Sequence, residues 1–151
     1  MTPLLGIDLG SKRIGVALSD PTGTLASPVA TVLHRSGRVD VTRVAALCTE
    51  HHVSAVVVGW PRNMDGTSGA AARQAEQFAE RLRALTGLPV HLWDERLSTV
   101  AAERTLVELG ARRRRRREVR DRVAAAVLLQ AYLDARARAP RDRRVQADEV
   151  E

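Results

Sequence analysis

The chain is poor in cysteine, aromatic residues and long apolar runs, and each scarcity excludes a class of protein. Cys48 is the only cysteine among 151 residues, so no intrachain disulfide can form and no pair of thiolates can hold a structural zinc. Aromatic residues make up 3% of the chain, too few for a base-stacking platform. No window approaches the roughly 20 apolar residues that a membrane helix needs, and the N-terminal residues lack the features of a signal peptide. We therefore expect a reducing, cytoplasmic setting.

The charge that is abundant is positive, and arginine carries almost all of it. The sequence has 24 basic and 18 acidic residues, a net charge of +6, and Lys12 as its only lysine. Such a balance favours a polyanionic partner such as nucleic acid. The length suits one compact domain, which we expect over residues 1–139, followed by a polar, disordered tail over 140–151.

The hydrophobic patterns predict an α/β fold in which hairpin strands come first and helices alternate with strands later. The stretch "LLGIDLGSKRIGVALSD" predicts a β-hairpin, and "GTLASPVATVL" a third strand, at an edge or a strand end because it contains Pro28. The continuous run "VSAVVVGW" is typical of a strand buried on both faces.

Helices are predicted on either side of this buried strand and towards the end of the chain. The first is expected to begin at Asp40 as N-cap, and the second to end at Gly87. "STVAAERTLVELG" predicts a third helix, and a long apolar helix is expected to begin near Glu118, after a basic loop. The apolar stripe of the second helix is predicted to consist of Ala71, Ala75, Phe78, Leu82 and Leu85.

Carboxylates occupy three unusual places. Asp8 interrupts an apolar strand between two glycines, Asp94 and Glu95 end a strand in "WDER", and Asp121 lies near the start of the last helix. Each has an ordinary explanation, as a turn cap, a salt-bridge partner or a charge complementing a helix N-terminus. Adjacent strand residues face opposite sides, so only Asp94 or Glu95 can face the same way as Asp8, and spacing does not decide which. Together the acids suit a hard divalent cation, Mg²⁺ or Mn²⁺, with oxygen ligands.

Four stretches in one order, "GIDLGSKRIGVALSD", "VVVGWPRNMDGTSG", "WDERLSTVAAERTL" and "DRVAAAVLLQAYLD", resemble the YqgF or RuvX family of Holliday-junction resolvases and pre-16S ribosomal RNA nucleases. The resemblance implies a ribonuclease H-like fold, with a five-stranded mixed sheet whose first three strands are antiparallel. It assigns catalysis and metal binding to Asp8, Glu95 and Asp121, and so selects Glu95 over Asp94. It implies two-metal hydrolysis of a phosphodiester bond in a four-way DNA junction or a ribosomal RNA precursor, and a homodimer would suit the junction.

Nucleic-acid contacts are predicted at basic and polar residues near these acids. Most of these residues also have an ordinary alternative role, as an ion-pair partner, a turn residue or part of a solvated loop. The predicted contacts are Lys12, Arg13, Asn63, Arg96, Arg112, Arg113, Arg114, Arg115, Arg116 and Arg117.

Two other functions compete with the nuclease interpretation. "GIDLGS" also opens actin-like and sugar-kinase ATPases, but those need two such domains, and 151 residues leave no room for both. A non-catalytic RNA-binding ribosome-assembly factor would not need the three carboxylates, and their presence counts against it.

Overall fold

The computed structural model describes residues 2–97 and 113–138, with side chains from residue 123 onward in the second range. Five strands form one sheet in the order β3-β2-β1-β4-β5. β1 to β3 pair antiparallel, whereas β4 and β5 are parallel to β1. Their bounds are Leu4–Leu9 for β1, Arg13–Ser19 for β2, Ala26–Leu33 for β3, Ala55–Trp60 for β4 and Val90–Asp94 for β5. The expected five-stranded mixed sheet with three antiparallel strands first is confirmed, as is the edge position of Pro28, beside a register shift in β2–β3.

Helices cover both faces of this sheet. They are α1 (Gly37–Glu50), α2 (Ala70–Thr86) and α3 (Arg113–Arg138), with a short 3₁₀ turn at Glu95–Leu97. α1 and α2 pack on one face around a core that includes Leu5, Ile7, Val56, Val58 and Leu82. α3 packs on the other face against Leu4, Ala17, Ala55 and Val57. The period-two alternation of β1 and β4 therefore separates two cores, as expected for a strand buried on both sides. Within the described ranges no helix combines the length and apolar character that crossing a bilayer requires.

The start of α1 differs from the prediction. Ser36, not Asp40, is the N-cap, and its hydroxyl accepts from the Val39 N–H at 3.3 Å. Asp40 is buried in the first turn, where its carboxylate pairs with His34 and accepts from the Arg35 N–H at 3.0 Å. The cap preference of aspartate pointed to the right turn of the chain, but the side chain here satisfies groups before the helix.

The buried stripe of α2 is shifted from the predicted one. Ala72, Ala75, Phe78, Ala79 and Leu82 are buried, so three predicted positions are confirmed. Ala71 is exposed and Leu85 is 56% exposed, because the helix turns these positions away from the sheet. Gly87 ends α2 in the left-handed conformation at φ 70°, as predicted.

The last helix begins earlier than predicted, at Arg113 and not near Glu118. Arginine is a strong helix former, so most of the arginine run extends the helix instead of preceding it as a loop. The predicted helix over 98–110, Arg112 and the predicted tail lie outside the described residues.

Candidate active site

Asp8 lies at the end of the central strand, on the face of the sheet that α3 covers. The neighbouring residues Leu5 and Ile7 belong to the core beneath α1 and α2, so alternation turns Gly6 and Asp8 to the other face. Its register partner in β2 is Gly15. On the β4 side, Ile7 pairs with Val58, and Gly59 follows. A half-buried carboxylate is thus flanked by glycines on both adjacent strands, which leaves open space around its oxygens.

Glu95 is the acid that the structure brings to Asp8. It begins the 3₁₀ turn after β5 and continues the alternation of His91 and Trp93, whose rings contact Tyr132 of α3. A hydrogen bond joins the Glu95 and Asp8 side chains. Burial, followed by the negative charge of Asp8, raises the pKa of Glu95 from 4.5 to about 8. At neutral pH Glu95 is therefore mostly protonated, and its carboxyl O–H donates the hydrogen bond to the Asp8 carboxylate.

Gly59 provides the room that Glu95 occupies, and the sequence interpretation did not identify it. A Cβ atom at Gly59 would lie 2.4 Å from Glu95 Oε1 and 3.2 Å from its Cγ and Cδ. The available signal was a glycine inside the β-branched run "VVVGW", since glycine within a strand often marks a close approach.

Asp94 faces away from this pair and binds Arg96. The Arg96 Nε lies 3.0 Å from each Asp94 carboxylate oxygen, and Nη2 lies 2.6 Å from Oδ2. The guanidinium holds the pKa of Asp94 below its usual value. Arg96 thus forms an ion pair with a neighbouring acid, the contact given above as the alternative to phosphate binding.

Asp121 lies in α3 at the end of the sheet where Asp8 lies, although its side chain is outside the described residues. α3 runs antiparallel to β1: Leu133 lies near Leu4, and the Ala125 carbonyl and the Leu129 side chain lie over Gly6. Asp121 comes one helical turn before Ala125, about 6 Å along the helix. Asp8 lies two residues beyond Gly6, about 6.6 Å along the strand. The backbone of Asp121 is therefore displaced in the direction of Asp8.

Of the three predicted metal ligands, Asp8 and Glu95 have described side chains and Asp121 does not. Among the described side chains, no group of three histidine, cysteine or acidic residues could hold a metal ion. Two of the predicted ligands, Asp8 and Glu95, are in contact. Two adjacent carboxylates, one of them kept protonated by burial and by the charge of the other, are an oxygen donor set that a hard divalent cation fits by replacing the shared proton.

The predicted nucleic-acid contacts take different positions. Arg13 is on the face of Asp8 by alternation with Gly15, and Lys12 is exposed in the adjoining turn. Asn63 is in the loop after β4, where its amide donates to the Thr67 hydroxyl at 3.0 Å. Residues 113–117 form the start of α3 at the Asp121 end.

Cys48 is buried in the core beneath α1, where burial raises the pKa of its thiol to about 11. Cys48 is thus a small core residue. A cleft of about 390 Å³ also opens on that face of the sheet, beside Gly37, Asp40 and Arg81. Asp8 and Glu95 are not among its lining residues.

Similarity to solved structures defines the class of fold. RuvC of Thermus thermophilus, solved with a Holliday junction substrate, matches with a TM-score of 0.62 and 15% identity, over 91% of this chain and 96% of that one. The Holliday junction resolvase of fowlpox virus matches with a TM-score of 0.55 and 13% identity, over 89% and 99%. These similarities establish the ribonuclease H-like fold that the family resemblance implied.

Sequence similarity defines the family. The family model RuvX, described as Holliday junction resolvase, matches residues 2–135. A protein of Geobacillus kaustophilus, named "Putative pre-16S rRNA nuclease", is 49% identical over 87% of this chain and 97% of its own length. A protein of Symbiobacterium thermophilum with the same name is 51% identical over 89% and 94%. The chain belongs to the RuvX family.

Proposed function

We propose that this chain is a metal-dependent endonuclease that hydrolyses phosphodiester bonds in structured nucleic acid. The observation that carries the proposal is the contact between Asp8 and Glu95 at the ends of β1 and β5, in space opened by Gly59. Burying two acids against each other is costly for folding. A bound cation would offset this cost, which is why we assign the pair to a cation-binding site.

Asp8, Glu95 and Asp121 are the residues that would hold the ions, with Asp8 between the other two. Carboxylate oxygens suit Mg²⁺ or Mn²⁺ better than zinc, and a two-metal site is the arrangement we propose. When bound, such ions lower the pKa of a water molecule and stabilise charge on the leaving oxygen.

The residues of the chain then have separate tasks. Asp8 would supply a carboxylate at the centre of the site, and Glu95 would release its proton to solvent when a cation binds. Lys12, in the turn next to Asp8, Arg13, at the start of β2, and the arginines at the start of α3 are proposed to contact backbone phosphates. The expected products carry a 5′-phosphate and a 3′-hydroxyl.

The substrate is proposed to be recognised by its shape and backbone. Arginines dominate the basic residues and aromatics make up 3% of the chain, a composition that favours phosphate contacts over base stacking. The family description points to a four-way DNA junction, and the names of the relatives point to the precursor of 16S ribosomal RNA. We propose action in the cytoplasm, where bacterial ribosomal RNA is processed. For the two-fold symmetric junction we propose a homodimer, which sedimentation equilibrium would detect.

Cleavage of both substrates by purified protein and by Asp8→Asn, with Mg²⁺ or Mn²⁺, tests this function. We expect the wild type to cut at least one substrate, and Asp8→Asn to fold normally and cut neither. If both substrates are bound but not cut, the chain is a non-catalytic RNA-binding assembly factor. Undiminished cutting by Asp8→Asn would refute the role of the carboxylates.

A further inference from the structure

The guanidinium of Arg96 is partly exposed to solvent, and each of its nitrogens faces an acceptor of the protein. Nε and Nη2 donate to the Asp94 carboxylate, and Nη1 lies 3.4 Å from the Met64 carbonyl oxygen and 3.5 Å from that of Asn63. Each of its three nitrogens therefore has an acceptor. A phosphate would compete with a bidentate carboxylate for this guanidinium.

The same pair closes the turn that contains Glu95. The Arg96 N–H donates to Asp94 Oδ1 at 3.0 Å, so the carboxylate binds both the backbone and the side chain of the residue two positions later. Glu95 lies between them, at the point where β5 becomes a 3₁₀ turn. Fixing this turn fixes the direction of the Glu95 side chain.

The pair also joins the ends of two strands. Asn63 and Met64 belong to the loop after β4, and Glu95 follows β5. Gly59 of β4 forms the wall against which Glu95 packs. Contacts from Arg96 to the loop thus hold the Glu95 turn against the strand that bounds the Glu95 side chain.

We propose that Asp94 and Arg96 are positioning residues that act as one unit, holding Glu95 against Asp8, and that Arg96 does not bind phosphate. The inference rests on the proposed nuclease function for its effect on cleavage. It deepens that function by giving Asp94 and Arg96 a task distinct from substrate binding.

Arg96→Ala, Arg96→Lys, Asp94→Ala and the double alanine variant test this proposal in single-turnover cleavage and in substrate binding without metal. Loss of a positioning partner typically costs 10–100-fold, so each single variant should lose that much in rate with unchanged substrate affinity. Arg96→Lys should not rescue, because lysine cannot reproduce the planar fork. The double variant should lose no more than the worse single one, since the residues act together.

A phosphate-binding role for Arg96 predicts different results. Arg96→Ala would weaken substrate binding and reduce its salt dependence by about one phosphate contact, and Arg96→Lys would retain most of it. Asp94→Ala would free the guanidinium and strengthen binding. Any of these outcomes, or wild-type cleavage rates in the alanine variants, would overturn the proposal.

Mn²⁺ affinity, measured by calorimetry on the intact chain without nucleic acid, is independent of cleavage. Removing a positive charge should by itself strengthen cation binding, whereas loss of positioning should weaken it about 10–100-fold. Weaker Mn²⁺ binding by Arg96→Ala supports the inference even if the wild type cuts neither substrate, and equal or tighter binding contradicts it. Glu80→Gln, which removes the exposed Glu80–Arg83 pair at 2.8 Å on α2, is the matched control and should behave as wild type.

Discussion

Replacing Gly59 with alanine should separate activity from stability. The new Cβ would lie 2.4 Å from Glu95 Oε1 and 3.2 Å from Cγ and Cδ, whereas ordinary carbon contacts begin near about 3.5 Å. The Glu95 carboxylate must therefore retreat by about 1 Å. A displacement of that size in a reacting group can cost about 100-fold in rate, and we expect a loss of that order in single-turnover cleavage.

The fold should tolerate this change. The φ angle of Gly59 is not positive, so alanine fits the backbone and restricts the unfolded chain, a gain of about 0.4–1 kcal/mol. Glu95 is half-buried in a short turn and can move, which limits the strain. The substitution should thus change the free energy of unfolding by no more than about 1 kcal/mol, well below the usual 5–15 kcal/mol stability of a domain. Thermal unfolding measures this change.

Gly37→Ala is the matched control for Gly59→Ala. Its Cβ would meet Arg81 Nη1 at 2.2 Å, an equally short contact, but with the end of an exposed, flexible side chain on the opposite face of the sheet. We expect wild-type cleavage from this variant. Full activity in Gly59→Ala, or equal losses in both variants, would refute the argument that Gly59 makes room for Glu95.

Two further predictions follow from the charges. Glu95 has a folded pKa of about 8, above its ordinary 4.5, so the metal-free protein should lose stability as pH rises from about 4.5 through 8. Thermal unfolding of Glu95→Gln should show a flatter dependence of stability on pH than the wild type, and higher stability at pH 9. Identical pH profiles for the two proteins would contradict the raised pKa. Substrate binding should fall about 10³-fold or more between 50 and 200 mM salt if six or more phosphates are neutralised, and glutamine at all six positions of 112–117 should make that dependence shallower.

Much of the fold could be predicted because the strands carry clear patterns. The run "VSAVVVGW" indicated a strand buried on both faces, and "LLGIDLGSKRIGVALSD" an antiparallel start, and both are present. The boundaries of α1 and α3 were wrong for local reasons. Asp40 satisfies groups outside the helix, and arginines that repel one another still favour helical backbone.

The candidate site was less accessible to sequence reasoning because it depends on register. Spacing alone could not choose between Asp94 and Glu95, since that choice requires knowing which face of β5 lies towards α3. The task of Gly59 likewise depends on the pairing of β4 with β5. The acceptors near the Arg96 guanidinium depend on the position of the loop carbonyls, which no sequence periodicity predicts.

Anomalous diffraction from crystals soaked with Mn²⁺ is the most direct test of the central claim, that Asp8 and Glu95 form a divalent cation site. The account predicts an anomalous peak bound by carboxylate oxygens of Asp8 and Glu95, with Asp121 completing the site. A peak bound by Asp94 in place of Glu95, or no density beside Asp8 at saturating Mn²⁺, would contradict it.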